Sequence, residues 1–155
     1  LAVVVFAVRR PLEKKGHSDP AVYNITKIIS ESMKKKGGSV INITSLNAEL
    51  GFSNNPGYVS SKGGLKLLTK SFCLDYAKYK IRFNNLGPGY IKTKMTRKKY
   101  LNLKERKKRT DRIPLGRYGN PDDLIGPVLF LMADASSYMT GQDLYVDGGF
   151  LAKGI

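Results

Sequence analysis

Apolar residues along the chain follow two rhythms: short runs rich in Val and Ile, and longer stretches in which apolar positions recur every three or four residues. The opening run LAVVVFAV (1–8) is continuous and β-branched, the pattern of a strand buried on both faces of a parallel sheet, and such a strand needs a neighbour on each side. Residues 9–17 are polar and contain Gly16, which predicts a loop. Ser18, Asp19 and Pro20 predict a helix start, with Val22, Ile25, Ile28, Ile29 and Met33 as its apolar stripe. The run Lys34-Lys35-Lys36-Gly37-Gly38 predicts its end near Lys36, because cations suit the negative end of a helix and glycine suits the turn beyond it.

SVINITS (39–45) predicts a second strand, and Pro56 opens a helix to about Tyr79 with Leu65, Leu68, Phe72 and Tyr76 facing inward. IRFNNL (81–86) predicts a third strand, closed by Gly87-Pro88-Gly89. Pro114 and Pro121 bracket a loop, and a helix is expected from Asp122 to Ala133, kinked or broken by Pro127. Asp143 to Val146 predicts a fourth strand, ending at Asp147-Gly148-Gly149. Strands alternating with helices predict an open parallel sheet with right-handed crossovers, a doubly wound α/β fold in three layers (α/β/α).

Composition narrows this little: 155 residues with 41% hydrophobic and 25% charged positions fit one globular domain, 1–155, and exclude disordered and fibrous classes. The run 1–8 stops at Arg9-Arg10, short of the roughly 20 residues of a membrane-spanning helix. It also lacks a preceding basic segment and a following small-residue cleavage site, so no secretory signal is predicted. A single cysteine, Cys73, excludes an internal disulfide and a cysteine zinc cluster; no metal site is expected, and the expected setting is cytoplasmic.

Charge changes the picture more. The formal net charge is +15, and more than half of it sits between Lys92 and Arg112, where eleven basic residues face only Glu105 and Asp111. Such a segment fits a solvated helical face, a dock for an acidic substrate or membrane surface, or a phosphate-binding stripe. No aromatic platform, zinc motif or helix-turn-helix pattern accompanies it, so neither a nucleic acid nor a membrane is the expected partner.

Candidate chemistry lies elsewhere. Ser45 stands just past the second strand, and Tyr58 and Lys62 are four residues apart, on one face of the following helix. In doubly wound sheets ligands bind beyond the carboxyl ends of the strands. A lone YxxxK arises by chance in many helices, but a strand-terminal Ser thirteen residues before the Tyr makes the set more specific. These groups suit proton transfer to or from an alcohol oxygen coupled to hydride transfer. A phenol needs roughly 3 kcal/mol of help to act as a base near neutrality, and one ammonium about 4 Å away at an effective dielectric of 20 offers roughly 4 kcal/mol. The competing reading is that Tyr58 covers an apolar helix face and Lys62 is solvated.

The chain resembles the classical short-chain dehydrogenases/reductases through INITS with Ser45, YVSSK from Tyr58 to Lys62, NNLGPGYIKTKM from Asn84 to Met95, RIPLGRYGNPDDL from Arg112 to Leu124, and TGQDLYVDGG from Thr140 to Gly149, in order and at matching spacing. The resemblance implies a Rossmann-like domain binding NAD(H) or NADP(H). It makes Tyr58 the catalytic acid/base, Lys62 the residue that lowers the phenol pKa and holds the nicotinamide ribose, and Ser45 the residue that positions the substrate oxygen. It further implies that Pro88 and Gly89 line the nicotinamide pocket, that Ile91 and Thr93 meet the carboxamide end, and that residues 92–112 form the mobile substrate loop. A basic substrate loop suggests an acidic substrate: a sugar acid, or a phosphorylated or carrier-linked acyl group.

The pattern also breaks. The family's glycine-rich TGxxxGxG turn after its first strand is absent, Val5-Phe6-Ala7-Val8 stands where NNAG is expected, and the sequence opens at the family's fourth strand. The family's catalytic Asn falls at Ser18 with a dozen residues too few before it, and Asn24 is a distant substitute, so no Asn is assigned. The sequence is therefore expected to be a piece of a longer enzyme lacking the adenosine half of the cofactor site. NAD(H) and NADP(H) both stay open, because the family separates them after its second strand. The helices at 18–36 and 56–79 resemble those that pair subunits in the family, and YVDGGFLAKGI resembles a tail that reaches a neighbour, implying a homodimer or homotetramer. Two other readings stand: a non-catalytic fragment or oligomerisation module that lost the cofactor half, and a nucleic-acid binder with steeply salt-dependent affinity.

Overall fold

The computed structural model describes residues 2–6 and 20–153. Among these residues four strands, β1 (Ala2–Phe6), β2 (Gly38–Ile43), β3 (Ile81–Pro88) and β4 (Asp143–Val146), form one sheet in the order β1-β2-β3-β4. All pairs are parallel, with Val4 opposite Ile41, Ile43 opposite Leu86 and Pro88 opposite Val146. Among the described residues five helices accompany them: α1 (Pro20–Met33), α2 (Pro56–Tyr76), α3 (Arg97–Leu101), α4 (Leu103–Thr110) and α5 (Ile125–Met132).

Side chains on successive strand residues point to opposite faces, and the two faces carry separate cores. Val40, Ile81 and Phe83 meet Val22 and Met33 of α1 and Leu65, Phe72 and Tyr76 of α2. Ile41 and Leu86 meet Leu131 of α5 on the other face, with Leu144 and Val146 beside them. The fold is therefore the doubly wound α/β sheet in three layers. The Phe72 ring lies 5.6 Å from Phe83 and 5.7 Å from Tyr76, so the α2 side of the core is an aromatic stack.

Two sequence expectations are corrected. On α1, Val22 and Met33 are buried as expected, but Ile25 and Ile28 are 48% and 70% exposed, and Thr26 and Ser30 take the inner face instead. Ser30 Oγ donates to the Thr26 carbonyl at 2.6 Å, which satisfies that hydroxyl inside the helix and lets it be buried. The helix expected over 122–133 is two pieces, a 3-10 turn at Pro121–Leu124 and then α5. Pro127 neither kinks nor breaks α5, because it sits in the first turn, where its missing N–H removes no intrahelical bond. The helix-start residues Ser18 and Asp19, and the Ser18 position aligned with the family's Asn, lie outside the described residues.

Gly37 ends the turn after α1. Its N–H donates to the Met33 carbonyl at 2.8 Å, φ is +68°, and a Cβ there would stand 2.7 Å from the Lys80 carbonyl oxygen. Gly37→Ala is expected to cost more than about 1 kcal/mol in urea unfolding, because both the left-handed backbone and the close approach exclude a side chain. An unchanged midpoint contradicts this account of the turn. Among the described residues no helix is long and apolar enough to cross a membrane, and no group of three or more His, Cys, Asp or Glu is placed to hold a metal ion.

Candidate active site at the carboxyl ends of the strands

The strand register brings three chain reversals side by side: Thr44-Ser45 after β2, Gly89 after β3 and Asp147 after β4. Ser45 caps a one-turn 3-10 helix, Leu46–Ala48, with its backbone fully extended. Ser45 is buried; its Oγ accepts from the Asn47 backbone N–H at 3.2 Å and donates to Asn47 Oδ1 at 3.3 Å. That turn packs Leu46 into a third apolar cluster with Ile113 and Phe150, which fixes where the strand end points.

Pro56 sets the first turn of α2, and Tyr58 stands half-buried in that turn. Lys62, one turn later, is buried, with its Nζ 5.8 Å from the centre of the Tyr58 ring. The same amine donates to the carbonyl of Ile43 at 2.7 Å, tying α2 to the last residue of β2, two before Ser45. Burial pushes the Lys62 amine down to about 8. No carboxylate lies within salt-bridge distance of it among the described residues. The reading in which Lys62 is merely solvated is therefore overturned.

The residues assigned to the turn after β3 are placed differently. Pro88 closes the strand opposite Val146, and the Gly89 N–H donates to the Val146 carbonyl at 3.0 Å. A Cβ at Gly89 would fall 2.7 Å from Asp147 Cα, so only glycine lets the two reversals touch. Ile91 is buried and bridges to Gly119, whereas Thr93 is exposed, its N–H donating to Thr96 Oγ1 at 3.0 Å. Thr96, which the sequence did not single out, in turn donates to the Ile91 carbonyl at 2.6 Å and shapes the entry to residues 97–110. A cavity beside this turn is lined by Tyr90, Ile91, Arg117, Asp123, Val146 and Asp147.

The donor set suits the nicotinamide end of a dinucleotide. An ammonium has three N–H donors; one of those on Lys62 takes the Ile43 carbonyl, and the remaining two match a pair of ribose hydroxyls. The exposed Thr93 hydroxyl and the Pro88-Gly89 backbone suit the carboxamide.

An ionic cluster adjoining Ser45 escaped the sequence reading. Glu49, at the end of the one-turn helix, accepts from Lys66 Nζ and, at 2.7 Å, from Tyr145 Oη. Asp143 lies 3.6 Å from both Lys66 and Lys70 and accepts from Asn85 Nδ2 at 2.7 Å. The hydrogen bonds from Lys66 and Tyr145 hold the Glu49 carboxyl below its ordinary range, and burial with donation to Glu49 pushes the Tyr145 phenol far above its own. The only trace in the sequence is that Tyr58, Lys62, Lys66 and Lys70 follow one another at intervals of four.

The basic segment 92–112 forms α3 and α4 over an aromatic cluster in which the Tyr90 ring lies 5.5 Å from both Tyr118 and Phe150, and Tyr100 lies 5.3 Å from Tyr118. Arg106 and Lys92 sit over Tyr100, Arg109 over Tyr90 and Arg112 over Phe150. Arg109 also pairs with Glu105 at 2.7 Å. A purely solvated face therefore describes Lys94, Arg97, Lys98, Lys99, Lys104 and Lys108, which are exposed, and not the cations laid on rings.

A family model described as enoyl-(acyl carrier protein) reductase matches residues 19–151. The chain is 38% identical over 132 residues to 5-keto-D-gluconate 5-reductase of Escherichia coli (strain K12), covering 84% of this chain and 52% of that protein. It is 40% identical to a 3-oxoacyl-(acyl-carrier-protein) reductase of Thermotoga maritima, again over 84% and 52%. Its fold superposes with a TM-score of 0.84 on a gluconate 5-dehydrogenase from Burkholderia cenocepacia solved with NADP and tartrate, at 32% identity, covering 97% of this chain and 64% of that one. The chain thus spans about half the length of the curated relatives it matches. The matched span, the parallel sheet and the Ser45, Tyr58 and Lys62 motifs together mean that the chain belongs to the short-chain dehydrogenase/reductase family.

Proposed function

We propose that the protein is an NAD(P)-dependent oxidoreductase that interconverts a secondary alcohol and a ketone, with Tyr58 as acid/base. The observation that carries this reading is Lys62, a buried amine with no carboxylate at hand among the described residues and the Tyr58 ring beside it. An uncompensated buried cation is costly to a fold and marks a site kept for chemistry. NAD(P)H, when bound, supplies the hydride to the carbonyl carbon, and NAD(P)+ receives it in the reverse direction. The Tyr58 hydroxyl gives a proton to the carbonyl oxygen as the alcohol forms, and takes it back in oxidation. Ser45 Oγ, held at the strand end, donates a hydrogen bond to that oxygen. Lys62 stands beside the Tyr58 ring and keeps two N–H donors for the ribose. Pro88, Gly89, Ile91 and Thr93 bound the carboxamide end.

The substrate we propose is acidic. Lys94, Arg97, Lys98 and Lys99 are exposed beside the Gly89 to Thr93 turn, and the relatives include a reductase of a sugar acid. Turnover of a ketone bearing a carboxylate is expected to have a KM about tenfold below that of its neutral analogue at low salt, with the gap closing as ionic strength rises. Equal KM values at low salt contradict the acidic class while leaving the reaction class untouched. Residues 1–155 act in this reading as one cytoplasmic domain, with 92–112 as the substrate loop.

A homodimer or homotetramer is proposed from α1 and α2. They lie on one face of the sheet and expose Ile25, Ile28, Leu67 and Leu74, a set of large apolar side chains that a second copy would cover. Light scattering is expected to give a multiple of the chain mass, and a monomer at micromolar concentration contradicts the assembly.

A further inference from the structure

The Tyr145 ring crosses β3 to reach the turn that carries Ser45. β4 places Tyr145 opposite Gly87, and a Cβ on Gly87 would stand 2.3 Å from the ring, so the crossing exists only because residue 87 has no side chain. The hydroxyl at the far end of the ring donates to Glu49 at 2.7 Å. Glu49 closes the one-turn helix capped by Ser45, its own N–H donating to the Leu46 carbonyl at 3.1 Å. Lys66, one helical turn beyond Lys62, donates to the same Glu49 oxygen and lies 3.6 Å from Asp143. Three elements thus meet at one carboxylate: the Ser45 turn, α2 with Tyr58 and Lys62, and β4.

We infer that Glu49, Lys66 and Tyr145 form a clamp that positions Ser45 relative to Tyr58 and Lys62. None of the three touches substrate; they are positioning residues, and the inference rests on the proposed roles of Ser45 and Tyr58. Backbone to backbone, the turn is held within itself only by the Ala48 N–H to the Ser45 carbonyl and the Glu49 and Leu50 N–H groups to the Leu46 carbonyl, so its orientation depends on what fastens its ends. The Ser45 end is fastened by β2, and the Glu49 end by a phenol and an ammonium from two other elements. Because Lys62 and Lys66 project from one face of α2, a shift of the Glu49 end also changes the spacing between Ser45 and the Tyr58-Lys62 pair. Misplacement of a reacting group by about 1 Å can cost a hundredfold in rate, so a partial loosening carries a measurable penalty.

The test compares Tyr145→Phe, Glu49→Ala and Glu49→Gln in the purified protein by hydrogen exchange and by NAD(P)H-dependent turnover. Tyr145→Phe keeps the ring over Gly87 and removes only the hydroxyl. Exchange of the Leu46 to Leu50 amides is expected to accelerate about tenfold in Tyr145→Phe and more in Glu49→Ala, while the Ile81 to Leu86 amides are unchanged. The value of kcat is expected to fall about fivefold to tenfold in Tyr145→Phe and about thirtyfold in Glu49→Ala, with the Kd for NAD(P)H within twofold, and Glu49→Gln to recover part of the loss. The double variant Glu49→Ala/Tyr145→Phe is expected to be no slower than Glu49→Ala, since both remove one contact. Unchanged exchange at 46–50 overturns the clamp whatever the activity. Faster exchange with full kcat overturns its positioning role. If the unsubstituted protein turns over no ketone, the proposed function fails, and hydrogen exchange still decides whether the clamp exists.

Discussion

Replacing Tyr58 by Phe is expected to lower kcat about a thousandfold while the Kd for NAD(P)H changes less than threefold. Phe keeps the ring that Lys62 approaches at 5.8 Å, and it keeps the volume that α2 presents in its first turn. The Tyr58 hydroxyl makes no hydrogen bond to another described residue, so its removal leaves no protein group unsatisfied and the melting temperature is expected to stay within about 2 °C. What is lost, on the proposed mechanism, is the hydroxyl that exchanges a proton with the alcohol oxygen. Steady-state turnover with a cofactor titration on the same sample separates the two effects. Activity within tenfold of the parent means that another group moves the proton. A lost cofactor affinity means that the hydroxyl itself, and not the ring alone, holds the cofactor.

Lys62→Met is expected to act in opposite directions on function and on stability. The amine is buried and its pKa is pushed down to about 8, so folding disfavours the charged form. Below pH 8 both the folded and the unfolded chain hold the proton and the destabilisation is complete. Between about 8 and the ordinary lysine value of 10.5 the unfolded chain keeps its proton while the folded one releases it, so this destabilisation fades as pH rises through that window. The shift corresponds to roughly 3 kcal/mol, from which about 1 kcal/mol is offset by the lost hydrogen bond to the Ile43 carbonyl. Lys62→Met is therefore expected to be more stable than the parent by roughly 2 kcal/mol at pH 7, a rise of about 6 °C in melting temperature, and to lose that advantage near pH 10. Turnover is expected to vanish, because the proposed ribose contact loses its donors. Thermal unfolding at pH 7 and pH 10 checks the sign, and a variant less stable at pH 7 contradicts the view that Lys62 is held against a folding cost.

Much of this architecture was legible from local patterns. The β-branched runs of β1 to β3, the helix stop at Gly37 and the start of α2 at Pro56 are set by neighbours in sequence, and they lie where propensity and capping put them. The face of α1 was harder, because Ile25 and Ile28 satisfy helical spacing as well as Val22 and Met33 do, and only the position of β1 and β2 decides which edge turns inward. Pro127 was misread because the chain first makes a 3-10 turn at Pro121–Leu124, which moves the start of α5 up to the proline. Ser45, Tyr58 and Lys62 were visible because a strand end and an interval of four are local. The clamp was not, since Glu49 and Tyr145 are 96 residues apart and meet only through the β3–β4 register and the missing side chain at Gly87. The basic segment was misjudged in part for the same reason: Tyr90, Tyr118 and Phe150 come from three separate stretches, and the cations that cover them look solvated until those rings are brought together.

The central claim is that Lys62 and the turns beside it receive a nicotinamide dinucleotide. A fluorescence titration of the purified protein with NADH and NADPH tests it most directly. Saturable binding of one or both is expected, abolished in Lys62→Met and nearly unaltered in Tyr58→Phe, and the tighter ligand identifies the cofactor. A folded sample that binds neither contradicts the claim, and Ser45, Tyr58 and Lys62 would then belong to a module that keeps the sheet without the reaction.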